Sequence, residues 1–181
     1  ICLNMIVKNE SHVIARCLNA LKDFIDYWVI VDTGSTDDTQ DLIRECMRGY
    51  PGELYERSWV NFEHNRNEAL DLARGKALYS FFVDADEVMH FSPLFDKRKL
   101  SKDFYFLKTI AKGQEFYFPK LIKNHPLWRW RGVLHESIYH PAEVDGETLL
   151  EIWTESIQDG ARSRDASKNE RDIEILKRAI K

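Results

Sequence analysis

The sequence is poor in the features that mark most specialised protein classes. It has three cysteines, Cys2, Cys17 and Cys46, odd in number and with no CxxC spacing. That excludes a disulfide framework or a cysteine zinc site and predicts small buried hydrophobes in a reducing compartment. Eight glycines and five prolines are too few for a low-complexity chain. No apolar run approaches the ~20 residues of a membrane-spanning helix, and no signal-peptide pattern is present. A cytoplasmic protein is expected, with any membrane association of the peripheral kind, at the inner face. A basic excess is missing too. Lys and Arg number 26 against 30 Asp and Glu, a net charge of −4, which argues against a nucleic-acid partner with its basic footprint. What remains is 181 residues, 44% apolar and 31% charged, which fits one globular domain over residues 1–181. The chain opens inside an apolar, strand-like run and closes inside a helical one. Both ends are therefore expected to be truncations, with a targeting segment or further domain beyond.

Periodicity organises the first hundred residues. "ICLNMIV" predicts a buried strand, and "SHVIARCLNALKDF" places Val13, Ile14, Cys17, Leu18 and Leu21 on one helical stripe. "YWVIVD" is a second strand. "TGSTDDTQDLIRECM" turns at Gly34 and opens a helix with Ser35 or Thr36 as the expected N-cap. "ELYERSW" is a third strand, "FEHNRNEALDLARG" a helix capped by Gly75, and "ALYSFFV" a fourth strand. This β-α-β-α-β-α-β order predicts a parallel sheet with helices on both faces. Such sheets bind ligands beyond the carboxyl ends of their strands. After residue 100 the pattern becomes α+β, with two strands joined near Lys112-Gly113. An aromatic, basic "HPLWRWRGVLHESIYHP" follows, then a late strand "TLLEIWTESIQ". A closing helix carries Ile173, Leu176 and Ile180 on one side. Residues 1–100 form the expected ligand half and 101–181 the second half of the same domain.

Four constellations carry possible chemistry. "VDADE" ends the fourth strand, and side-chain alternation turns Asp84 and Asp86 the same way. Two such carboxylates suit Mg²⁺ or Mn²⁺, hard cations that complete their shells with water and phosphate. The plainer reading is a solvated acidic turn, but its place at a buried strand end favours a site. Glu87 points the other way and is expected to orient the loop. Asp32 ends the second strand. It either accepts from a base N–H or ribose hydroxyl, or only organises the Gly34-Ser35 turn. Thr36, Asp37 and Asp38 start the helix, where negative charge suits the dipole. Arg66 and Asn67 in "HNRNEA" are expected to open a helix, with Arg66 near a base or phosphate or in a surface ion pair. Downstream, Trp128, Trp130, Arg129 and Arg131 precede His135-Glu136. The tryptophans suit sugar faces or simple packing. His135 suits a metal or phosphate, and Glu136 a general base for a hydroxyl.

Taken in order, "LNMIVKNE", "IVDTGSTDDT", "HNRNEALDLARGKALYSFFVDADE" and "WRGVLHE" resemble the family 2 glycosyltransferases of the GT-A fold. Among these the chain looks most like bacterial-type members that glycosylate lipopolysaccharide cores or other acceptors, some carrying tetratricopeptide repeats. The resemblance covers about residues 1–140. It implies an α/β fold with a Rossmann-like, mostly parallel central sheet and an acceptor-side second half. It also implies a UDP-sugar donor, a divalent metal (Mn²⁺ or Mg²⁺) and inversion at the anomeric carbon. Carried over, Asp32 would hold uracil or ribose, with Arg66 near the base. Asp84 would contact ribose or metal, and Asp86 would bind the metal bridging the diphosphate, with His135 a further ligand. Lys8, Asn9 and Glu10 would border the nucleoside. Glu136 would be the base, in an "HE" arrangement where many members have "ED". Trp128, Trp130 and Arg131 would shape the acceptor or sugar pocket. Arg162, Arg164 and Lys168 would fold over the diphosphate as a lid, or form a solvated loop.

Two other classes compete. A nucleotidyltransferase usually carries a Gly-rich phosphate loop after its first strand, and "MIVKNESH" has no glycine. A non-catalytic nucleotide-sugar-binding domain would not need Asp32, Asp84, Asp86 and Glu136 together. A calcium module would need Gly-punctuated Asp spacing, which is absent. The acceptor class, whether glycan, lipid-linked or protein, is not readable from these residues.

Overall fold

The computed structural model describes residues 1–179. It begins β1 (Cys2–Val7), α1 (Ile14–Leu21), β2 (Tyr27–Asp32), α2 (Thr39–Cys46), β3 (Gly52–Glu56), α3 (Phe62–Leu72) and β4 (Tyr79–Phe82). It continues with β5 (Glu87–Phe91), β6 (Phe104–Ala111), β7 (Gln114–Lys123), β8 (Arg129–Arg131), β9 (Ser137–Tyr139) and β10 (Gly146–Ser156). It closes with α4 (Ala161–Arg164) and α5 (Lys168–Ala179). One eight-stranded, mostly parallel sheet runs in the order β3-β2-β1-β4-β7-β6-β10-β5, continuous across residue 100. β3, β2, β1 and β4 are mutually parallel. β7 reverses direction beside β4, and β8 pairs with β9 in a separate small sheet.

The alternation of β1 explains the layering. Leu3, Met5 and Val7 face a core shared with Ile14, Leu18 and Leu21 of α1 and Ile43 of α2. Cys2 faces the other way, with Val29 and Ala73 beside α3. Helices therefore cover both faces, as the periodicity predicts. Cys2 and Cys17 are buried free thiols and Cys46 is half-buried. Burial pushes the Cys2 thiol up to about 12 and the Cys17 thiol up as well. The β6–β7 hairpin turns through Lys112 (φ +49°) and Gly113 (φ +74°), the left-handed pair that a two-residue hairpin needs.

Several local boundaries differ from the sequence expectation. The N-cap of α2 is Asp38, not Ser35 or Thr36, because those two are spent elsewhere. Ser35 Oγ accepts the Asn9 N–H, and the Thr36 N–H donates to Asn9 Oδ1. Asp37 instead closes the first turn, accepting from the Thr39 N–H and hydroxyl. β3 stops at Glu56, where its pairing with β2 runs out at Asp32. α3 starts at Phe62 with Asn61 capping the His64 N–H, so Arg66 lies inside the helix rather than opening it. Its C-cap is Ala73, and Gly75 turns the chain two residues later. Ile173 and Leu176 on α5 are 51% and 44% exposed, so that apolar side is not buried here. Ile180 lies outside the described residues. No described helix is long and apolar enough to cross a membrane.

A buried ion pair ties the irregular half together. Lys120 of β7 donates to both carboxylate oxygens of Glu87 on β5, each at 2.6 Å. The two residues are 9% and 4% exposed. Thr154 of β10 adds a weaker contact to Glu87 at 3.4 Å and a hydrogen bond to Thr109 of β6 at 2.9 Å. Removing one partner strands a buried charge, whereas removing both does not. We expect Lys120→Met to cost about 3–5 kcal/mol in urea unfolding. Lys120→Met with Glu87→Leu should recover most of that loss. Strictly additive losses would show that the pair is not coupled.

Candidate active site

The parallel strands β1, β2 and β4 end on one edge of the sheet. Val7 lies opposite Asp32 in register, and the loops that leave these ends form one wall of a cleft of about 1010 Å³. Lys8, Asn9, Glu10 and Thr33 line it from β1 and β2, and Asp84 and Asp86 from the turn between β4 and β5. Residues 156–178, from the end of β10 through α4 and α5, contribute the far wall.

Asp84 and Asp86 sit in a turn rather than on the strand, since β4 ends at Phe82 and β5 begins at Glu87. Strand alternation therefore does not set their directions; two different contacts do. Asp84 Oδ1 accepts from Arg66 Nη2 at 2.8 Å. The same guanidinium gives its Nε–H to Glu136 Oε1 and stacks over Trp130, 5.1 Å from the ring centroid. Arg66 is thus a bridge between the acidic turn and the downstream "HE" segment, whose Glu136 lies 70 residues beyond it in sequence. Burial opposes the cation, but the Asp84 and Glu136 carboxylates outweigh it and raise the Arg66 pKa. At Asp84, burial pushes the carboxyl up; Arg66, then Lys120, reverse this and hold it below the ordinary carboxylate range. Glu87 turns inward to Lys120, and its Oε2 accepts the Asp84 N–H at 3.0 Å, which orients the turn.

Asp86 faces the cleft, and among the described residues no cation pairs with it. Burial, then the charge of Asp84, push its carboxyl up. Gly160 packs against it: a Cβ there would lie 3.2 Å from Asp86 Cβ, Cγ and Oδ2. Glu10 is also raised, first by burial, and its Oε2 accepts the Ala161 N–H at 3.0 Å. Among the described residues no three His, Cys, Asp or Glu side chains converge on one point. The donor set suits a Mg²⁺ or Mn²⁺ ion that takes one or two carboxylates and leaves the rest of its shell to water and phosphate. It does not suit a metal caged wholly by protein.

Other expected residues fall in different places. Asp32 is fully buried, and its Oδ1 accepts the Gly34 and Ser35 N–H groups at 2.9 and 2.8 Å. Its Oδ2 is buried without a partner. Asn9, at φ +57°, stitches the β1 loop to the Ser35-Thr36 turn. Trp128 is 4% exposed and packs with Leu70, Phe82 and Ile122 beneath α3, so it is core rather than pocket wall. Trp130 packs edge-on against Phe82, and Arg131 lies over Tyr139 on the small β8–β9 sheet. His135 is exposed at φ +53°, in no metal-sized group with Asp86. Glu136, Trp130 and His135 are not on the cleft wall; Glu136 reaches it only through Arg66. Of the expected lid, Arg162 and Lys168 line the cleft and Arg164 does not. Arg162 is already engaged, pairing with Asp172 at 2.6 Å and covering Phe62 at 4.7 Å.

The cleft also holds residues that the sequence did not single out. Trp59 and Phe62 meet edge to face at 4.8 Å on its wall. They were hidden because "ELYERSW" carries strand-like aromatics up to Trp59. Arg171 and Arg178 line it from α5. Their seven-residue spacing on one helix face was a usable signal.

Comparison with known proteins bears on this geometry. The family pattern "Glycosyl transferase family 2" matches residues 2–140. The SPbeta prophage-derived glycosyltransferase SunS of Bacillus subtilis is 29% identical over 149 residues, 81% of this chain and 32% of SunS. A TPR repeat-containing protein of Synechococcus elongatus is 29% identical over 147 residues, 76% of this chain and 35% of that protein. The chain thus spans about a third of the length of these relatives. Among solved structures, S. aureus TarS 1–349 in complex with UDP-GlcNAc superposes with a TM-score of 0.61 at 17% identity, covering 83% of this chain and 58% of TarS. HddC from Yersinia pseudotuberculosis gives 0.55 at 10% identity, covering 86% and 93%. These structural likenesses show the shared Rossmann-like, GT-A type of fold. The pattern matched from β1 through β9 shows more: the chain belongs to glycosyltransferase family 2.

Proposed function

We propose that this domain transfers a sugar from a nucleotide diphosphate donor, a UDP-sugar, to an acceptor hydroxyl on a glycan, lipid-linked glycan or protein. The observation that carries this reading is the charge network at the sheet edge. Asp86 stands on the cleft wall with no cation paired to it among the described residues, while Arg66 ties Asp84 to Glu136. The complex of TarS with UDP-GlcNAc supports the donor class, since the two chains share a fold.

In this reading the nucleoside lies against the ends of β1 and β2. The buried, unpartnered Asp32 Oδ2 is the acceptor left for a base or ribose donor once the turn opens. Asp86, with Asp84 beside it, holds Mg²⁺ or Mn²⁺. The bound ion supplies Lewis-acid stabilisation of charge on the leaving diphosphate. Lys168 and Arg171 face the same cleft and complement that charge from α5. Arg66 fixes the orientation of the Glu136 carboxylate, which takes the proton of the acceptor hydroxyl as it attacks opposite the leaving group. One displacement of this kind inverts the anomeric centre. Trp130 and Arg131 flank Glu136 on the acceptor side.

A panel of UDP-sugars with Mn²⁺, scored by thermal shift and UDP release, tests the reading. A donor at 100 times its Kd stabilises the fold by about 2.7 kcal/mol. Stabilisation by nucleoside triphosphates with pyrophosphate release would point to nucleotidyl transfer instead. Asp86→Ala should abolish the Mn²⁺-dependent part of the UDP-induced shift while leaving the melting temperature of the free domain near wild type. Glu136→Gln should keep the donor shift and lower kcat about 10²–10⁴-fold. Normal turnover in that variant would remove Glu136 as the base.

A further inference from the structure

The segment joining β10 to α4 is held at Asp159 by contacts that the proposed chemistry does not use. Asp159 makes a two-pronged ion pair with Arg16 of α1, at 2.8 Å to Nη1 and 2.7 Å to Nη2. The Asp159 carbonyl meets His12 Nε2 at 2.7 Å. Gln158, just before it, sits at φ +58°, a left-handed conformation that a non-glycine residue keeps only when its surroundings hold it. On either side of Asp159 the backbone is pressed onto the acidic turn. The Ile157 N–H donates to the Asp86 carbonyl at 3.1 Å. Gly160 is buried against the Asp86 side chain, where even a methyl group would crowd Cγ and Oδ2 at 3.2 Å.

We propose that Asp159 and Arg16 are positioning residues for the cation site. Their ion pair clamps residues 157–160 to α1 and so fixes the rotamer in which Asp86 presents its carboxylate to a divalent ion. The inference rests on the metal-dependent reading above and extends it to two residues outside the cleft wall. The physical grounds are two. Arg16 and Asp159 side chains are 39% and 40% exposed, and surface ion pairs add little to global stability. A pair in such a place has little effect on whether the chain folds. What it does control is the backbone that touches Asp86. Groups that orient a metal ligand from behind typically change metal affinity by 10- to 100-fold.

The test measures Mn²⁺ binding in the presence of UDP by electron paramagnetic resonance, with no acceptor and no turnover. Asp159→Ala and Arg16→Ala should each weaken Mn²⁺ binding about 10-fold. The reversed pair, Arg16→Asp with Asp159→Arg, should restore most of the loss. Gly160→Ala should weaken binding by crowding Asp86 directly, and the reversed pair should not rescue it. Melting temperatures of the metal-free variants are recorded alongside. Unchanged Mn²⁺ affinity in Asp159→Ala overturns the proposal. So does a lowered melting temperature with unchanged affinity, which marks a merely structural pair. A wild-type protein that binds no Mn²⁺ with UDP overturns the metal-dependent reading and the latch with it. Wild-type binding with indifferent variants overturns the latch alone.

Discussion

The acidic turn after β4 is balanced by two cations built in behind it. Asp84, Asp86 and Glu87 fall within four residues, and carboxylates so close repel one another. The fold divides the problem. Lys120 takes Glu87 into the interior, Arg66 takes Asp84 at the rim, and Asp86 is left facing the cleft. Each cation arrives from a different element, β7 or α3, so the turn has its shape only when the sheet and the helix layer are assembled. The unbalanced charge at Asp86 is the residue of that division, and the proposed cation site rests on it.

Arg66 does more than balance charge. It lies on the same helix as Glu63, Asn67 and Asp71, and that helix pins the segment carrying Trp130 and Glu136. Asn67 pairs with both the N–H and the carbonyl of Trp130, each at 2.9 Å. Glu63 accepts the Gly132 N–H, and Asp71 holds Arg129. Glu63, Arg66, Asn67 and Asp71, spaced three or four residues apart or side by side on this helix, therefore grip residues 129–136 together. That role is lost if Arg66 is considered alone.

Much of the first hundred residues was legible. Runs such as "YWVIV" and stripes such as Ile14, Leu18 and Leu21 report burial directly, because period two and period 3.6 are properties of the backbone itself. Glu87 does turn away from Asp86, as expected, but Lys120 turns it rather than strand alternation, since it opens β5 after a turn. The caps were not legible. Ser35 was a sound N-cap by propensity, but it was claimed by Asn9 from another loop, so Asp38 became the N-cap and Asp37 took over the hydrogen bonds of the first turn. Trp128 and Trp130 show the same limit. Both types suit sugar faces, yet one is sealed beneath α3 and the other holds Arg66 from behind. A side chain's type states what it can do, and its neighbours decide which of those things it does.

The sequence by itself determined the α/β order, the buried central strands and the placing of Asp32, Asp84 and Asp86 at one edge of the sheet. Those follow from local periodicity and from where each apolar run stops. Only the tertiary structure decided that Asp32 is turned into its own loop and that Glu136 is joined to Asp84 through Arg66. It alone showed Trp59, Phe62 and α5 closing the cleft, and Asp159 reaching back 143 residues to Arg16. Such pairings depend on distances between segments remote in the chain, and no local pattern of residues encodes them.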